Sequence, residues 1–487
     1  MSTEDTHTEP DTETEAAPDY SANQSLVEAL AGILLDQYPN RLEGPRAMSL
    51  RAQFPICGMD GKAGDTGTLW PFLKGEGFEP HRESNGMQSA LHGTDFSYSV
   101  SAGRGIIEIQ IHPCTTLHEL HDRLTQAVER LKPAAERWKK SVLAYGGQPN
   151  TPLTPECLTH KFHYFSLLRK IQEPYLYRGL QATNRFSVSC DQSELIDIVN
   201  WSDVLSPIVN TLSANTPIWG GEDGHYPSTR WQHQAKLSEE VVGDGRWQLV
   251  DHPYSGIDEW MFHLLHQPHL LLRDDEGWLN PGEGLFGQFL EQQMVSGRLP
   301  MELWNSVLDH MDTLWTQSRP VLHSDTALPP ALQKHTGVQL AETEQQGIPE
   351  TLAMSALLLG CLEEREALYQ WWEDLVPDPP AKREFGLWPH QILEKNLKYR
   401  KDIREPFSKY WARFMKQGVT YPEPFFGCFD GLLGHATTGL QKRGLGEEVY
   451  LLPLIERITQ QHEPHKELRR AYILGGIEDF MKHIVIS

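Results

Sequence analysis

Five residues, Ile107-Glu108-Ile109-Gln110-Ile111, alternate apolar with polar at the period of a β-strand, which places the carboxylate and the amide on one face and three isoleucines on the other. Within ten residues the period changes. Thr116 followed by Glu119 is the signature of a capping box, and behind it Leu117, Leu120, Leu124, Val128, Leu131 and Trp138 recur at helical spacing. The chain therefore carries a strand with one greasy and one polar face, followed directly by an amphipathic helix.

The same reading extends along the chain. Residues 25–38 read as a helix that caps the sheet, with Leu26, Leu30, Ile33 and Leu34 at helical spacing. Residues 48–56 and 98–111 are strand-like, 185–190 is a short strand, and 196–213 is a helix ending at the polar turn Ala214-Asn215-Thr216-Pro217. A glycine-rich loop, Gly220 to Gly224, follows. From Trp260 onward the pattern is mostly helical, over 352–372, 392–415 and 429 to the chain end. No internal repeat, long linker or composition shift divides residues 25–487, so the expectation is one α+β domain with strands before residue 260 and helices after.

Bulk properties narrow the partners. A chain of 487 residues with 39% hydrophobic residues and 14 Trp has ample material for a core. A formal charge of -23 argues against nucleic acid or an anionic membrane, since both are polyanions; a basic or neutral protein partner stays open. Part of that charge lies in residues 1–24, which hold seven acidic residues and no Lys or Arg and read as a disordered acidic tail. The start lacks the basic and apolar regions of a signal peptide, and no run approaches the roughly 18 apolar residues that span a bilayer, so the expected location is the cytoplasm. The six cysteines are widely spaced without a CxxC and read as reduced, mostly buried thiols.

Four segments, taken together, carry a family resemblance. Ser99 to Glu108, with Pro113 and the Leu117 helix behind it, resembles a SLEPGGQxE strand and its following helix; Ser213 to Pro217 resembles an ANSP turn. Ser228-Thr229-Arg230 resembles the SxR a few residues later, and residues 264–290 with the segments around Gly431 and Leu440 to Gly444 run in step with the same family. That family is the glutamate-cysteine ligases of the plant and proteobacterial branch. The resemblance implies a glutamine synthetase-like antiparallel sheet with flanking helices and a helical C-terminal part. It also implies ATP-dependent ligation, in which a carboxylate is phosphorylated and an amine displaces the phosphate to form an amide. ATP and Mg2+ are the implied cofactors, a small amino acid or peptide the implied substrate, and glutamate and cysteine the default pair.

Residue by residue the resemblance is mixed. Glu108 stands where the family places a metal-binding glutamate, which makes it the implied catalytic and metal residue; Arg230 stands for the arginine that contacts nucleotide phosphate, and Glu344 for the glutamate of EMRG. Against this, the GxExE of the first strand reads Leu50-Arg51-Ala52-Gln53-Phe54, the glutamate of SLEPG is Ala102, and a neighbouring glycine is Arg104. The polar pair of TVQVN is Ser187 and Ser189, and the arginine of EMRG is Gln346. Magnesium favours carboxylate and water oxygens, so one glutamate makes a poor site. Two readings follow: Arg51 and Arg104 replace a cation and hold ATP or an acidic ligand directly, or the fold is a catalytically degenerate paralogue that serves as a binding module or partner subunit.

Plainer readings stand beside these. Glu108 could face solvent, Arg230 could bridge Glu222 or Asp223 at the surface, and a register shift would dissolve the apparent exchanges at Arg51 and Arg104. His263, His266 and His269 recur every three residues but lack a fourth ligand and read as polar residues at a helix end. The loops 146–149 and 220–224 are glycine-rich without a Walker lysine, and neither GxSxG nor HExxH occurs.

Overall fold

The computed structural model describes residues 24–486 apart from 76, 84, 231–232, 234–253, 275–276, 280–283, 323–335, 375–422 and 461. Its centre is a ten-stranded sheet in which every pairing is antiparallel. In chain order the strands are β1 (Met48–Cys57), β2 (Glu79–Arg82), β3 (Gln88–His92), β4 (Phe96–Val100), β5 (Ile106–Cys114), β6 (Ser141–Val142) and β7 (Thr183–Val188). The small hairpins β8 (Ile218–Trp219) with β9 (Glu222–Asp223), and β10 (Leu272–Asp274) with β11 (Gly277–Leu279), stand apart. β12 (Arg319–Leu322), β13 (Thr336–Gln339) and β14 (Thr343–Glu344) return to the main sheet. The spatial order is β12-β13-β7-β1-β5-β4-β3-β2, with β14 also on β7 and β6 on β1.

Alternation decides which face is which. Leu50, Ala52, Phe54, Ile107, Ile109, Ile111, Phe96, Tyr98, Phe186 and Val188 point to one side and are buried in the main core. The helix Leu117–Glu136 covers that side, its whole stripe from Leu117 to Leu131 buried, and the Tyr98 hydroxyl donates to its Ala127 carbonyl (2.8 Å). Its start is capped as the sequence predicts: the Thr116 hydroxyl accepts from the Glu119 N–H (3.1 Å). The returning bond lands one residue early, from the Thr115 N–H to the Glu119 carboxylate (3.0 Å).

Several expectations need correction. Trp138 lies beyond the helix end and is 49% exposed, its indole donating to the Thr68 carbonyl, so it is not part of the apolar stripe. The 98–111 run is two strands, because residues 101–105 turn the chain back and pair Ser99 with Glu108. Strands do not end before residue 260: β12, β13 and β14 lie after it and complete one side of the sheet. The 352–372 helix is two, Ile348–Glu363 and Arg365–Asp374, while 392–415 and the acidic tail fall outside the described residues. Helices Glu423–Arg443, Leu452–Thr459 and Pro464–Ile484 follow as expected. Among the described residues, Cys57, Cys114, Cys157, Cys190 and Cys361 are buried free thiols, and no helix is long and apolar enough to cross a membrane.

Candidate functional site

The polar face of the sheet is built by register. Cross-strand partners share a face. One row runs Arg185–Arg51–Gln110–Ser97 across β7, β1, β5 and β4, and the next runs Gln53–Glu108–Ser99. Arg319 lies on the same side, in the adjoining row Arg319–Gln339–Ser187–Ser49. The sequence expectation that Glu108 and Gln110 share a face thus describes one strand of a much wider polar surface.

Gln53 organises its centre. Its amide nitrogen donates to Glu108 Oε2 (3.1 Å) and to Ser101 Oγ (3.0 Å), and its carbonyl accepts from the Thr183 N–H (3.1 Å) and hydroxyl (3.3 Å). An amide is the right group here, since it donates to the carboxylate with one end and accepts from β7 with the other. Lys161, just before the helix Phe162–Ile171, pairs with Glu83 at 2.9 Å. Burial works against its charge, but Tyr164, Glu83 and Glu108 outweigh that and raise its pKa.

A second tier lies deeper. Glu342 is buried between β13 and β14 and meets Arg230 Nη1 (3.2 Å) and Arg185 Nε (3.5 Å). Burial alone would raise its pKa; Arg185, Arg230 and Arg178 overcome that and lower it. Glu344 is in the opposite balance. Its burial outweighs Arg230 and the donors around it, and its pKa is raised. Those donors are the Ser228 hydroxyl, the Asn215 N–H (2.7 Å), the Thr216 hydroxyl (3.0 Å) and Arg230 Nε (3.4 Å). The ANSP-like turn and the SxR-like segment therefore meet on one carboxylate, which explains their spacing in the sequence.

The predicted site residues do not all gather. Glu108 and Arg51 lie on the face; Arg230 and Glu344 lie under it, Arg230 at 0% exposure. The surface reading of Arg230 does not hold, because Asp223 pairs with Arg469 (2.9 Å) while Arg230 is sealed against Glu342 and Glu344. Arg104 sits in the β4–β5 turn, 41% exposed, its guanidinium on Asp65 (2.5 and 3.1 Å). Gln346 is buried and accepts from Arg457 (3.0 Å), so a guanidinium reaches that position from the helix Leu452–Thr459.

Sequence reasoning missed Arg185, Lys161, Arg319, Arg178 and Glu342. Arg185 was detectable, being two residues before Ser187 on the same strand face. The others had no local signal. Burial lowers the pKa of Arg178 and Arg319 to about 10, with Arg185 adding to the effect against the opposing Glu342 and Asp312, so both stay cationic at neutral pH.

Two loop expectations also resolve. Residues 145–149 are buried, with the Gly146 N–H on Asn215 Oδ1 (3.1 Å), and Gly220 and Gly221 form the β8–β9 turn at φ 62° and 81°. Of the three histidines, His266 ends the helix Ile257–Leu265 with its ring on the Phe262 carbonyl (2.8 Å).

The donor set does not fit carboxylate-held magnesium. Glu108 is bonded to an amide, Glu342 is taken by two guanidiniums and Glu344 by four donors. Among the described residues no group of three or more His, Cys, Asp or Glu could hold a metal ion.

With this geometry in view, residues 83–374 match Glutamate-cysteine ligase family 2 (GCS2). The chain belongs to that family. A relative from Rhodopirellula baltica, named "Putative glutamate--cysteine ligase 2", is 30% identical over 126 residues, which is 26% of this chain and 33% of the relative. The match thus spans about a third of that relative's length. Two solved structures are similar at low scores. A glutamate–cysteine ligase from Francisella tularensis in complex with AMP has TM-score 0.49 at 9% identity, covering 91% of this chain and 89% of that one. A bifunctional glutathione synthetase from Pasteurella multocida has TM-score 0.42 at 10% identity, covering 94% and 52%. The family read from the sequence motifs is the family matched, and the antiparallel α+β architecture agrees with the expected fold class.

Proposed function

We propose that this GCS2 protein is an ATP-dependent carboxylate–amine ligase working on the polar face of the sheet. A substrate carboxylate oxygen attacks the γ-phosphorus and releases ADP. The amine then attacks the acyl carbon, phosphate leaves, and the nitrogen gives up a proton to form the amide. The first step brings two anions together, so it needs fixed positive charge where the phosphates and the carboxylate meet.

The observation that carries this reading is the juxtaposition of Arg51 and Arg185 with Glu108 across adjacent strands. The guanidiniums supply the charge. Glu108, in no ion pair among the described residues and held by Gln53, is the group placed to orient the incoming ammonium and take its proton. Arg230 and Glu344 act as positioning residues that hold Glu342, and through it Arg185, in place. Glutamate and cysteine are the default substrates by family.

The test is phosphate release by purified protein given ATP and pairs of amino acids, glutamate with cysteine first, beside Glu108→Gln. Release that needs both amino acids and falls by about 10²-fold or more in the variant, the scale expected for a lost acid–base group, supports the ligase. Background release with every pair from folded protein favours the second reading, a degenerate paralogue that binds without turnover. What keeps that reading in play is that Glu108 is held by the Gln53 amide and that, among the described residues, no cluster of three or more carboxylates, His or Cys could hold a metal there.

A further inference from the structure

Among the described residues, Arg51 is a cation of this face without a counter-ion. Its strand partner in register is Arg185, a like charge directly opposite, and the field of Arg51 also weighs on Arg319 one row away. Arg185 has Glu342, and Arg319 has the Met311 and Leu314 carbonyls with Asp312 at 3.8 Å. Arg51 has no hydrogen bond or ion pair among the described residues. Its other neighbour in register, Gln110, is neutral. Like charges facing each other across a strand pair destabilise a sheet, and a half-buried guanidinium without a counter-ion adds to that cost. The apo arrangement is therefore poorer than the same sheet with a neutral residue at position 51.

We propose that Arg51, with Arg185 and Arg319 behind it, is an oxyanion subsite that takes the phosphate chain of a nucleotide without a divalent cation. The mismatch between the donor set and magnesium is then accounted for, because the resemblance puts Arg51 at one of two first-strand positions where the family is acidic, and Arg185 and Arg319 add positive charge to the same face. Guanidinium meets phosphate oxygens with paired N–H donors, which a compact ammonium cannot reproduce. The inference rests on this face being the ligand site, and does not need the protein to turn over.

The experiment uses the full chain in EDTA, with inorganic tripolyphosphate as probe, read by calorimetry and by thermal melting. The wild type is expected to bind in EDTA, with affinity no tighter when magnesium replaces the chelator, since magnesium competes for the same phosphate oxygens. Arg51→Gln should lose about tenfold or more in affinity, the scale of one charge-assisted contact. Its ligand-free melting temperature should equal or exceed the wild type, because a repulsion is removed; a merely structural arginine would lower it. Arg51→Lys should bind more weakly than wild type and more tightly than Arg51→Gln.

Binding that appears only with magnesium, or that survives in Arg51→Gln, overturns the proposal, as does a destabilised ligand-free Arg51→Gln. L-glutamate displacing tripolyphosphate would assign the subsite to a carboxylate and overturn the phosphate assignment. Tripolyphosphate binding in EDTA by a protein that releases no phosphate keeps this inference and sinks the ligase reading; turnover without metal-free binding does the reverse.

Discussion

Asp203 shows how strongly one carboxylate can depend on its surroundings. It lies in the helix Leu195–Ser213 and accepts from the Ser318 hydroxyl, yet burial outweighs that bond and pushes its pKa up to about 7. The ordinary aspartate value is about 3.9. A raised carboxylate favours the protonated folded state, so its contribution to stability is complete below about pH 4 and is lost as pH rises through about 7. Glu83, Glu194 and Glu342 have lowered values and pull the opposite way, so only a comparison isolates Asp203. Denaturant unfolding of Asp203→Asn and wild type should therefore show the variant gaining relative stability between about pH 4 and pH 7. A difference that does not change with pH would mean the carboxylate is solvated. Nothing in the sequence marks Asp203, whose environment comes from Ser318, more than a hundred residues away.

At the scale of elements, alternation and capping were legible and contacts between elements were not. The strand face of Glu108 and Gln110, the Leu117–Glu136 helix and the 196–213 helix all follow from local period, because one face of each must be buried wherever the rest of the chain goes. The helix pair Ile348–Glu363 and Glu423–Arg443 is different. It crosses closely through Gly360 and Gly439, where a Cβ on Gly360 would lie 2.2 Å from the Ala436 carbonyl oxygen, and one on Gly439 would lie 1.9 Å from that of Gly360. Gly360→Ala should destabilise by about 1–3 kcal/mol, the range for overpacking, measured by denaturant unfolding. An unchanged midpoint would show that the helices can part without loss.

Over the whole molecule, the last helix closes onto β6, the residues after it and β8. Phe480 is fully buried with Leu143, Tyr145 and Ile218, and the Ala144 N–H donates to the Ile484 carbonyl (2.7 Å) while the Ile486 N–H donates to the Val142 carbonyl (2.9 Å). Phe480→Ala should cost about 3–5 kcal/mol of stability if that closure packs like a core. A loss confined to the last helix, with the remaining amides as protected from hydrogen exchange as before, would mean that the helix docks as a separate unit. The same long-range assembly makes the site, since Arg51, Arg185 and Arg319 come from β1, β7 and β12, which only the sheet order β12-β13-β7-β1 brings to one face.

Local period and motif order by themselves determined the strand faces, the amphipathic helices and the family, because each of these is written within a few residues. The tertiary structure alone decided that Arg230 is sealed on Glu342 and Glu344, that Arg104 turns to Asp65, and that Arg51 faces Arg185. Charge acts through space, and register between strands far apart in the chain is set by the whole sheet and its buried face, so no window of sequence contains it.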